Sequence, residues 1–493
     1  MVEKYQLFID GKWRDSSSGE TMPAVNPFNQ EVWAEIPVAT EADVEEAINA
    51  ARRAYETQWQ HTSPGQRADL LNKLADLLEA DADRMALIET TDNGKVIRET
   101  HSQMGYAARI FRYCASYTDK IGGNVIPLDQ KDVMDISLRV PYGVIAAITA
   151  WNSPVAILAN KLPAALAMGN CVVIKPSEHA SASTLEIAKL AEKAGFPPGV
   201  INVVTGAASV GKALVESPEI DKVCFTGSPA VGRQIAMAAG ANLKPVALEL
   251  GGKSPNIIFA DADLDRAIVG ALAGIFGATG QTCIAGSRLL VQRSVYSEVV
   301  EKLVERAKEI VMGDPRLPET EMGTAANQPQ FDRIMAFIDR AKEEGARLVA
   351  GGEPEDYGEL AKGLFIQPTI FADVSNDMCI AQDEIFGPVL AIIPFEDEAE
   401  AIAIGNQTEF GLASGVWTES LPRAMRMIKA LRAGVVWVNT YRTSAPQAPF
   451  GGVKNSGFGR VRGELGLLEF TTTKNVMIDY SGDKRDPFAM KFS

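Results

Sequence analysis

Apolar and polar positions alternate with two different periods along the chain. In the first 120 residues apolar side chains recur mainly at helical spacing, as at Val44, Ile48 and Ala51, which follow a capping-box start at Thr40. Two short strands, at 6–13 and 31–37, precede these helices. From residue 144 onward, short β-branched runs alternate with helical patterns. This alternation predicts βαβ units, and hence a mostly parallel sheet with helices on both faces.

The predicted strands end in polar or glycine-rich turns. Val144–Thr149 and Val223–Thr226 have the pattern of buried strands, and a second strand–helix alternation extends from Asn256 to about Val438. Ligands of parallel sheets bind at the carboxyl ends of the strands. Only the pair Gly251 and Gly252 separates the two halves, so we expect a cleft at that joint.

Composition and charge exclude several classes of partner. A chain of 493 residues is too long for one core, so two or three domains are expected. The net charge of −15 repels phosphate backbones and anionic lipids, so neither nucleic acid nor a membrane is an expected partner. No apolar run approaches the roughly 18 residues that span a bilayer. The N-terminal sequence lacks an apolar signal segment, and the five cysteines form no CxxC pair. We therefore expect a cytoplasmic protein.

The candidate chemistry centres on one cysteine. Cys283 lies in the stretch FGATGQTCIAGSRL, where small and polar neighbours leave room for a ligand to approach the thiol. A lone cysteine is usually a small buried hydrophobe, but two other motifs supply what a nucleophile needs. Glu249, before the Gly-Gly joint, is a candidate base, and Asn152, in AWNSP, is a candidate amide donor. The three histidines have no metal-ligand spacing, so we expect no metal.

Several strand ends have the residue types of a nucleotide site, although no GxGxxG occurs. Gly206–Ala213 has the spacing of a P-loop, but Ala213 replaces the magnesium-binding hydroxyl, so a plain tight turn is expected. Thr226, Gly227 and Ser228 join a strand to a helix and offer either an anion site or only a helix cap. Two other groups could meet riboses, although both also fit ordinary surface turns: Lys175 with Glu178, and Glu384 with Phe386.

Five ordered motifs together carry a resemblance that extends over nearly the whole chain. GQTCIAGSR at 280–288, LELGGKSP at 248–255, EIFGPV at 384–389 and PFGGVKNSGFGR at 449–460 resemble, together with the Trp-Asn motif, those of the aldehyde dehydrogenase superfamily. The resemblance implies an α/β fold with a Rossmann-type cofactor domain, an α/β catalytic domain and a small β oligomerisation element. The corresponding boundaries are 1–120 with 142–250, 251–455, and 121–141 with 471–493. It also implies a homodimer or homotetramer.

The resemblance further implies a mechanism. Cys283 attacks the aldehyde, Asn152 and the Cys283 backbone N–H hold the oxyanion, and Glu249 activates water to hydrolyse the thioester. Lys161 and Glu464 match positions linked to proton movement. The implied cofactor is NAD, with NADP as the alternative, and a ribose-binding Glu178 would repel a 2′-phosphate. The implied cofactor contacts are Thr149, Trp151, Lys175, Glu178, Gly211, Thr226, Gly227, Ser228, Leu250, Glu384 and Phe386.

The substrate tunnel departs from that of relatives that prefer simple aliphatic aldehydes. Small or polar residues stand where such relatives have large rings, at Ser153, Asn160, Gly277 and Ser444. Phe450 and Tyr106 remain as aromatic walls, and Arg442 stands near the mouth, to meet a carboxylate or to pair with the scaffold. A wider, more polar tunnel predicts a bulky polar or aromatic aldehyde in preference to acetaldehyde.

Three alternatives remain open at this point. An acylating enzyme of the same fold would pass the thioester to coenzyme A, but such enzymes generally lack the glutamate found at Glu249. A cysteine hydrolase would need a histidine base, and no histidine lies in a motif. A non-catalytic structural protein of this fold would not need Cys283, Glu249 and Asn152 together.

Overall fold

The computed structural model describes residues 2–355, 357–483 and 488, and the strands in this part of the chain form four sheets. The strands are β1 (Glu3–Lys4), β2 (Leu7–Ile9), β3 (Lys12–Arg14), β4 (Thr21–Val25), β5 (Val32–Pro37), β6 (Val125–Ile126), β7 (Val133–Pro141), β8 (Val144–Ile148), β9 (Cys171–Lys175), β10 (Ile201–Val203), β11 (Lys222–Thr226), β12 (Val246–Glu249), β13 (Pro255–Ile258), β14 (Arg288–Gln292), β15 (Arg347–Ala350), β16 (Thr369–Ala372), β17 (Val389–Phe395), β18 (Ala413–Trp417), β19 (Val435–Val438), β20 (Gly457–Phe458) and β21 (Thr471–Asp479).

The α-helices lie between these strands in the alternation that the sequence predicts. They are α1 (Glu41–Thr57), α2 (Pro64–Ala80), α3 (Ala82–Asn93), α4 (Ile97–Ala115), α5 (Pro154–Ala159), α6 (Leu162–Ala167), α7 (Ala182–Ala194), α8 (Ala208–Glu216), α9 (Pro229–Ala241), α10 (Leu264–Ile275), α11 (Tyr296–Lys308), α12 (Gln328–Glu343), α13 (Cys379–Gln382), α14 (Glu398–Asn406), α15 (Leu421–Ala430) and α16 (Gly463–Leu468). No helix in the described part of the chain is long and apolar enough to cross a membrane.

The first large sheet has the doubly wound order. Its parallel strands run β10-β9-β8-β11-β12, so the chain moves outward in one direction from β8 and then returns to continue on the other side. Ligands bind where such a reversal opens a crevice, at the carboxyl ends of the strands. Here that point lies between β8 and β11. The Rossmann-type arrangement is therefore present, and it places the ends of these two strands side by side.

The second large sheet runs β15-β16-β17-β14-β13-β18-β19, and every neighbouring pair except β15–β16 is parallel. Both of its faces are covered. Ile257 and Leu290 belong to one buried cluster, whereas Ile258 and Leu289 belong to another on the opposite face. A parallel sheet buried on both faces explains why these strands are apolar at successive positions rather than at alternate ones.

Two smaller sheets account for the remaining strands. β7 pairs antiparallel with β21 along nine residues, and β6 extends this sheet. Its exposed apolar side chains include Met134, Leu138 and Met477, in the segments predicted to serve oligomerisation. The predicted tail continues beyond Asp483, where all but Phe488 lies outside the described residues. The domain boundaries predicted from the sequence stay a prediction.

The N-terminal strand prediction needs one correction. Residues 6–13, predicted as a single strand, form the hairpin β2–β3 instead. Its turn is Asp10-Gly11, and both residues have positive φ, 53° and 70°. An Asp-Gly pair favours this two-residue turn because the glycine accepts a left-handed conformation without strain. The pair is visible in the sequence and was the signal that the prediction overlooked.

Candidate active site

Cys283 lines a cleft of about 1260 Å³ to which both large sheets contribute. Its loop follows a short 3₁₀ turn, in which Ala278 and Thr279 have φ values of 54° and Gly280 one of 68°. A Cβ at Gly280 would stand 2.0 Å from the backbone oxygen of Gly387, so only glycine fits there. Three successive left-handed residues thus turn the chain sharply just before the cysteine. This tight turn fixes the position of the thiol.

The side chain of Gln281 anchors the same loop to a neighbouring segment. Its Nε2 donates to the backbone oxygen of Thr324 at 3.0 Å, and its Oε1 accepts from the backbone N–H of Ala326 at 2.9 Å. Both bonds are buried, where a hydrogen bond is costly to break. The cysteine loop is therefore held by its backbone conformation and by a satisfied amide.

The Gly-Gly joint lets three parts of the site approach one another. A Cβ at Gly251 would lie 2.2 Å from Oε2 of Glu384, and one at Gly252 would lie 2.2 Å from the backbone oxygen of Cys283. The backbone N–H of Gly252 also donates to Oε1 of Glu384 at 2.9 Å. Side chains at this joint would push the cysteine loop and Glu384 away. The cleft predicted at Gly251-Gly252 is present for this steric reason.

Asn152 links the end of β8 to the cysteine loop. Its Nδ2 donates to the backbone oxygen of Gln281 at 2.9 Å in a buried contact. The bond uses one of the two N–H groups of the amide and fixes the orientation of the side chain. Among the described residues nothing engages the second N–H, which leaves it available to a ligand in the cleft.

Glu249 forms a buried cluster with Lys161 and Thr226. The parallel register pairs Thr226 of β11 with Glu249 of β12, so the two side chains emerge together at adjacent strand ends. The Nζ of Lys161 donates to the carboxylate in a short contact and to Oγ1 of Thr226 at 2.7 Å, and that hydroxyl donates to the carboxylate at 3.0 Å. Lys161 is only 2% exposed. The carboxylate is thus directed at a buried lysine in this structure.

Glu464 is not part of this cluster. It lies on α16 with its side chain exposed, and it does not line the cleft. The role in proton movement or support that the sequence resemblance implies for Glu464 stays a prediction. Helix α16 begins two residues after the buried Val461, and its direction carries Glu464 to the surface. A single sequence does not show which residue of this turn faces inward.

The environment of the thiol opposes its ionisation. Burial raises the pKa of Cys283 to about 12, and the carboxylates of Glu249 and Glu384 add to the rise. The backbone N–H of Cys283 and the positive charge of Arg462 act in the opposite direction. At neutral pH the resting side chain is therefore a thiol, and forming the thiolate requires a base or a cation that arrives with the ligands.

Several predicted cofactor contacts line the same cleft. Trp151 meets Phe386 edge to face, with ring centroids 5.3 Å apart, and Phe386 has a φ of 62°. Burial raises the pKa of Glu384 to about 7, although the N–H of Gly252 and nearby cations act against the rise. The cleft brings together these predicted residues: Trp151, Asn152, Thr226, Gly227, Ser228, Glu249, Leu250, Cys283, Glu384 and Phe386.

The other four predicted cofactor contacts form a second group beside the first. The backbone N–H of Thr149 donates to the oxygen of Lys175, and Nζ of Lys175 stands 3.3 Å from Oε2 of Glu178. A Cβ at Gly211 would meet only Lys175 and Ile148, at ordinary contact distances of 3.5 Å and 3.9 Å. The hydroxyl of Thr149 is buried without a partner among the described residues. This group has an orphaned hydroxyl and a carboxylate, which fit a hydroxyl-rich ligand such as a nucleotide ribose.

The predicted wide tunnel needs a correction at Gly277. A Cβ there would stand 2.0 Å from Nη1 of Arg442, so the guanidinium fills the space that the missing side chain leaves. Nη1 of Arg442 also donates to the backbone oxygen of Ala273 at 3.1 Å. Ser153 and Asn160 do line the cleft as predicted. Gly277 itself does not widen the cleft, because a charged side chain from a distant loop covers it.

Sequence reasoning missed Arg462 altogether. Together with Tyr106, Arg442, Ser444 and Phe450 it forms one side of the cleft, which we call the arginine wall. The sequence around Arg462 carries several charges, and nothing in their spacing marks the one that faces inward. The antiparallel bridge between Phe450 and Val461, which lie close together in the sequence, is what brings it there.

Comparison with known proteins gives consistent results at the level of sequence. A model of the aldehyde dehydrogenase family matches residues 13–476. The (Z)-2-((N-methylformamido)methylene)-5-hydroxybutyrolactone dehydrogenase of Acinetobacter baylyi is 45% identical over 495 residues, which cover 99% of this chain and 100% of that protein. Aldehyde dehydrogenase 1A1 of Gallus gallus is 45% identical over 482 residues, covering 97% and 94%.

Solved structures are similar over the same extent. Betaine aldehyde dehydrogenase from Staphylococcus aureus, in complex with NAD⁺, superimposes with a TM-score of 0.97 at 38% identity. The superposition covers 98% of this chain and 96% of that one. At this identity and coverage the similarity reaches beyond the fold.

Proposed function

Because this chain belongs to the aldehyde dehydrogenase family and carries out NAD-dependent aldehyde oxidation, we propose that it oxidises its substrate through a covalent intermediate on Cys283. The family, the fold and NAD as the cofactor, predicted from the motifs, are confirmed by these similarities. The observation that carries the proposal is the convergence of Cys283, Asn152 and Glu249 on one cleft. The participation of each residue is our inference.

The first step is attack by the sulfur of Cys283 on the aldehyde carbon. A C–S bond forms, the thiol proton passes to solvent water, and the carbonyl π electrons move to the oxygen to give a thiohemiacetal oxyanion. The free N–H of Asn152 and the backbone N–H of Cys283 stabilise that oxyanion. The bond from Asn152 to Gln281 supports this role, because it fixes the amide before the substrate arrives.

When bound, NAD would supply the acceptor for the hydride that the substrate carbon loses as the carbonyl re-forms to give the thioester. The residues that would hold it are the cleft-lining contacts and the Lys175 group described above. The orphaned hydroxyl of Thr149 fits such a ligand. Glu384 and Glu178 offer carboxylate oxygens to ribose hydroxyls, as a nucleotide cofactor requires.

The second half of the reaction releases the acid. Glu249 takes a proton from water, hydroxide attacks the thioester carbon, and the C–S bond breaks with return of the thiolate. The contact between Glu249 and Lys161 means that the carboxylate must turn from the buried lysine toward the thioester. Lys161 and Thr226 then form the route by which the proton can leave the site.

The substrate we propose is a bulky polar or aromatic aldehyde in preference to acetaldehyde. Hydroxyl, amide and guanidinium groups line the cleft beside the rings of Phe450 and Tyr106. The Acinetobacter relative is named for a substituted hydroxybutyrolactone, which is a polar substrate. A small alkyl aldehyde would leave these polar groups without partners. We also propose a homo-oligomer assembled through the sheet β6-β7-β21.

Trapping the intermediate tests the mechanism. Glu249→Gln mixed with NAD and aldehyde should release one equivalent of NADH and then stall, with the acyl group detected on Cys283 by intact-protein mass spectrometry. Cys283→Ala is the control and should give neither burst nor adduct. Loss of the burst in Glu249→Gln would contradict the assigned role, and would mean that Glu249 serves acylation by deprotonating Cys283.

A further inference from the structure

The arginine wall contains a cation that no carboxylate of the protein neutralises. Arg462 has no Asp or Glu oxygen within 4 Å in the described part of the chain, and its neighbours are two hydroxyls and a ring. Nη1 donates to the hydroxyl of Tyr106 at 2.8 Å and to Oγ of Ser444 in a short contact. The guanidinium lies 4.5 Å from the centroid of Phe450. All of these partners are neutral.

The local backbone directs this side chain into the cleft. Phe450 and Val461 exchange two backbone hydrogen bonds, both of 2.8 Å, and Val461 is buried. The next residue, Arg462, has a φ of 63°, a left-handed conformation that is unfavourable for a residue with a Cβ. The chain therefore turns abruptly after the bridge and carries the side chain back over the ring of Phe450. A strained backbone at a cleft is a reason to look for a ligand.

The donors that remain on Arg462 form a fork. Nη1 is used by the two hydroxyls, whereas Nε is buried without a partner and Nη2 makes no hydrogen bond to any described residue. Nε and Nη2 are two parallel donors on one edge of the guanidinium, the arrangement that binds a carboxylate bidentately. A buried donor left unsatisfied is costly, so the site favours a ligand that supplies two acceptor oxygens.

Most of the other charged groups of the cleft have nearby partners. Glu249 is held by Lys161, Arg98 stands 3.9 Å from Glu321, and Oε1 of Glu99 accepts from the backbone N–H of Ala278 at 2.9 Å. Arg442 has no Asp or Glu oxygen within 4 Å in the described part of the chain either, but its Nη1 donates to the backbone oxygen of Ala273 and none of its nitrogens is buried without a partner. Glu409 accepts from Asn455 at 2.7 Å. Four further charged residues lie on α9 and α12 or beside the predicted cofactor contacts: Arg233, Arg333, Asp383 and Glu384.

We propose that the substrate is an aldehyde that also carries a carboxylate, an oxo acid, and that Arg462 is the residue that recognises this carboxylate. The inference rests on the proposed function and names its substrate class. Tyr106 and Ser444 position the guanidinium, and Phe450 supports its plane. A neutral aldehyde leaves the fork unpaired, and a cationic aldehyde meets like charge. The aldehyde end of the molecule remains with Cys283 and Asn152.

A matched set of substrates tests the proposal in the wild-type enzyme with NAD. We expect kcat/KM for 4-oxobutanoate or 5-oxopentanoate to exceed that for the corresponding methyl ester by on the order of 100-fold, the usual effect of leaving a buried charge unpaired. Betaine aldehyde, a cation, should be the poorest of the set. An ester, a cation or a phosphate-bearing aldehyde that matches or exceeds both oxo acids would overturn the proposal.

Substitution of Arg462 distinguishes a role in binding the substrate carboxylate from a role in holding the loop. In Arg462→Gln the ratio of kcat/KM for oxo acid to ester should fall to about one, mainly through KM. Arg462→Lys should restore part of the ratio, because it restores the charge but not the fork. Arg109→Gln removes an exposed charge of the same helix as Tyr106, outside the cleft, and should keep the wild-type ratio.

The outcomes keep this proposal separate from the mechanism. If Arg462→Gln lowers kcat/KM for the oxo acid and for the ester by the same factor, Arg462 only supports the loop. The proposal that it recognises the carboxylate then fails. Loss of ester turnover in Cys283→Ala bears on the mechanism alone. If Arg109→Gln lowers the ratio as much as Arg462→Gln does, the effect is general electrostatics and the assignment of a specific fork is wrong.

Discussion

The catalytic centre and the arginine wall share one cleft but are built in different ways. Asn152, Thr226 and Glu249 stand at the ends of neighbouring parallel strands, where the register of the sheet fixes their spacing. Arg442 and Arg462 stand on irregular loops, each in a left-handed backbone conformation. Cys283 lies on a loop as well, but buried hydrogen bonds of Gln281 hold that loop in place. The groups of the proposed chemistry are thus held by the sheet or by a buried anchor, whereas the proposed substrate-selecting groups lie on loops, which tolerate change.

The largest effect should come from removing the nucleophile. We expect Cys283→Ala to lower turnover by roughly 10⁵-fold or more for every aldehyde alike, because no other thiol lines the cleft described here. Cofactor binding, followed by the fluorescence of NADH, should persist. Turnover at a per cent of the wild-type rate would show that the reaction does not depend on Cys283, which would contradict the proposed mechanism.

Cofactor selection extends the comparison to the second group of predicted cofactor contacts, which lies beside the cleft. Glu178, close to Lys175 at 3.3 Å, would oppose the 2′-phosphate of NADP. Like-charge contacts of this kind cost several kcal/mol, so kcat/KM should favour NAD by on the order of 100-fold. Glu178→Gln should narrow that ratio while leaving the aldehyde preference unchanged. A higher efficiency with NADP in the wild type would contradict the assignment.

The ionisation of the thiol gives a pH dependence within the centre. Because the pKa of Cys283 is raised to about 12, its thiolate fraction in the cofactor-free enzyme should grow about tenfold per pH unit between pH 7 and pH 9. The rate of alkylation by iodoacetamide should follow this slope without a plateau. Since Glu249 contributes to the rise, Glu249→Gln should lower the pKa and speed alkylation at a fixed pH. A plateau below pH 8 would contradict this.

The smallest effect is expected from a substitution at Gly277, which should change the stability of the protein through Arg442 of the arginine wall. A Cβ 2.0 Å from Nη1 of Arg442 forces the guanidinium to move, but this is the far end of a flexible side chain, so Gly277→Ala should destabilise the protein by no more than about 1 kcal/mol. Gly240→Ala is the matched control, because a Cβ there meets nothing within 4 Å in helix α9. Thermal denaturation of both variants, and of Gly277→Ala combined with Arg442→Ala, measures the difference. Equal melting temperatures for the two alanine variants would show that Arg442 does not depend on Gly277.

The same division explains what the sequence could predict. The convergence of Cys283, Asn152 and Glu249 on one cleft was predictable, because Cys283 and Glu249 each lie in a compact motif and strand–helix alternation places strand ends together. The wall was not, because it depends on contacts between distant loops. The sequence predicts that Gly277 widens the cleft. Only the path of the loop that holds Arg442 shows that a guanidinium fills this space. For Arg462 the information lies in a left-handed φ and in a bridge between residues 450 and 461.

The first sheet is completed by the last part of the chain. The strand that ends at Glu249 is bordered on its outer side by β20, which comes from residues 457–458, while the opposite edge of the sheet is the N-terminal hairpin β2–β3. During translation the edge of β12 therefore stays unpaired until almost the entire chain has left the ribosome. A polypeptide truncated before residue 457 would leave that edge open to pairing with another chain.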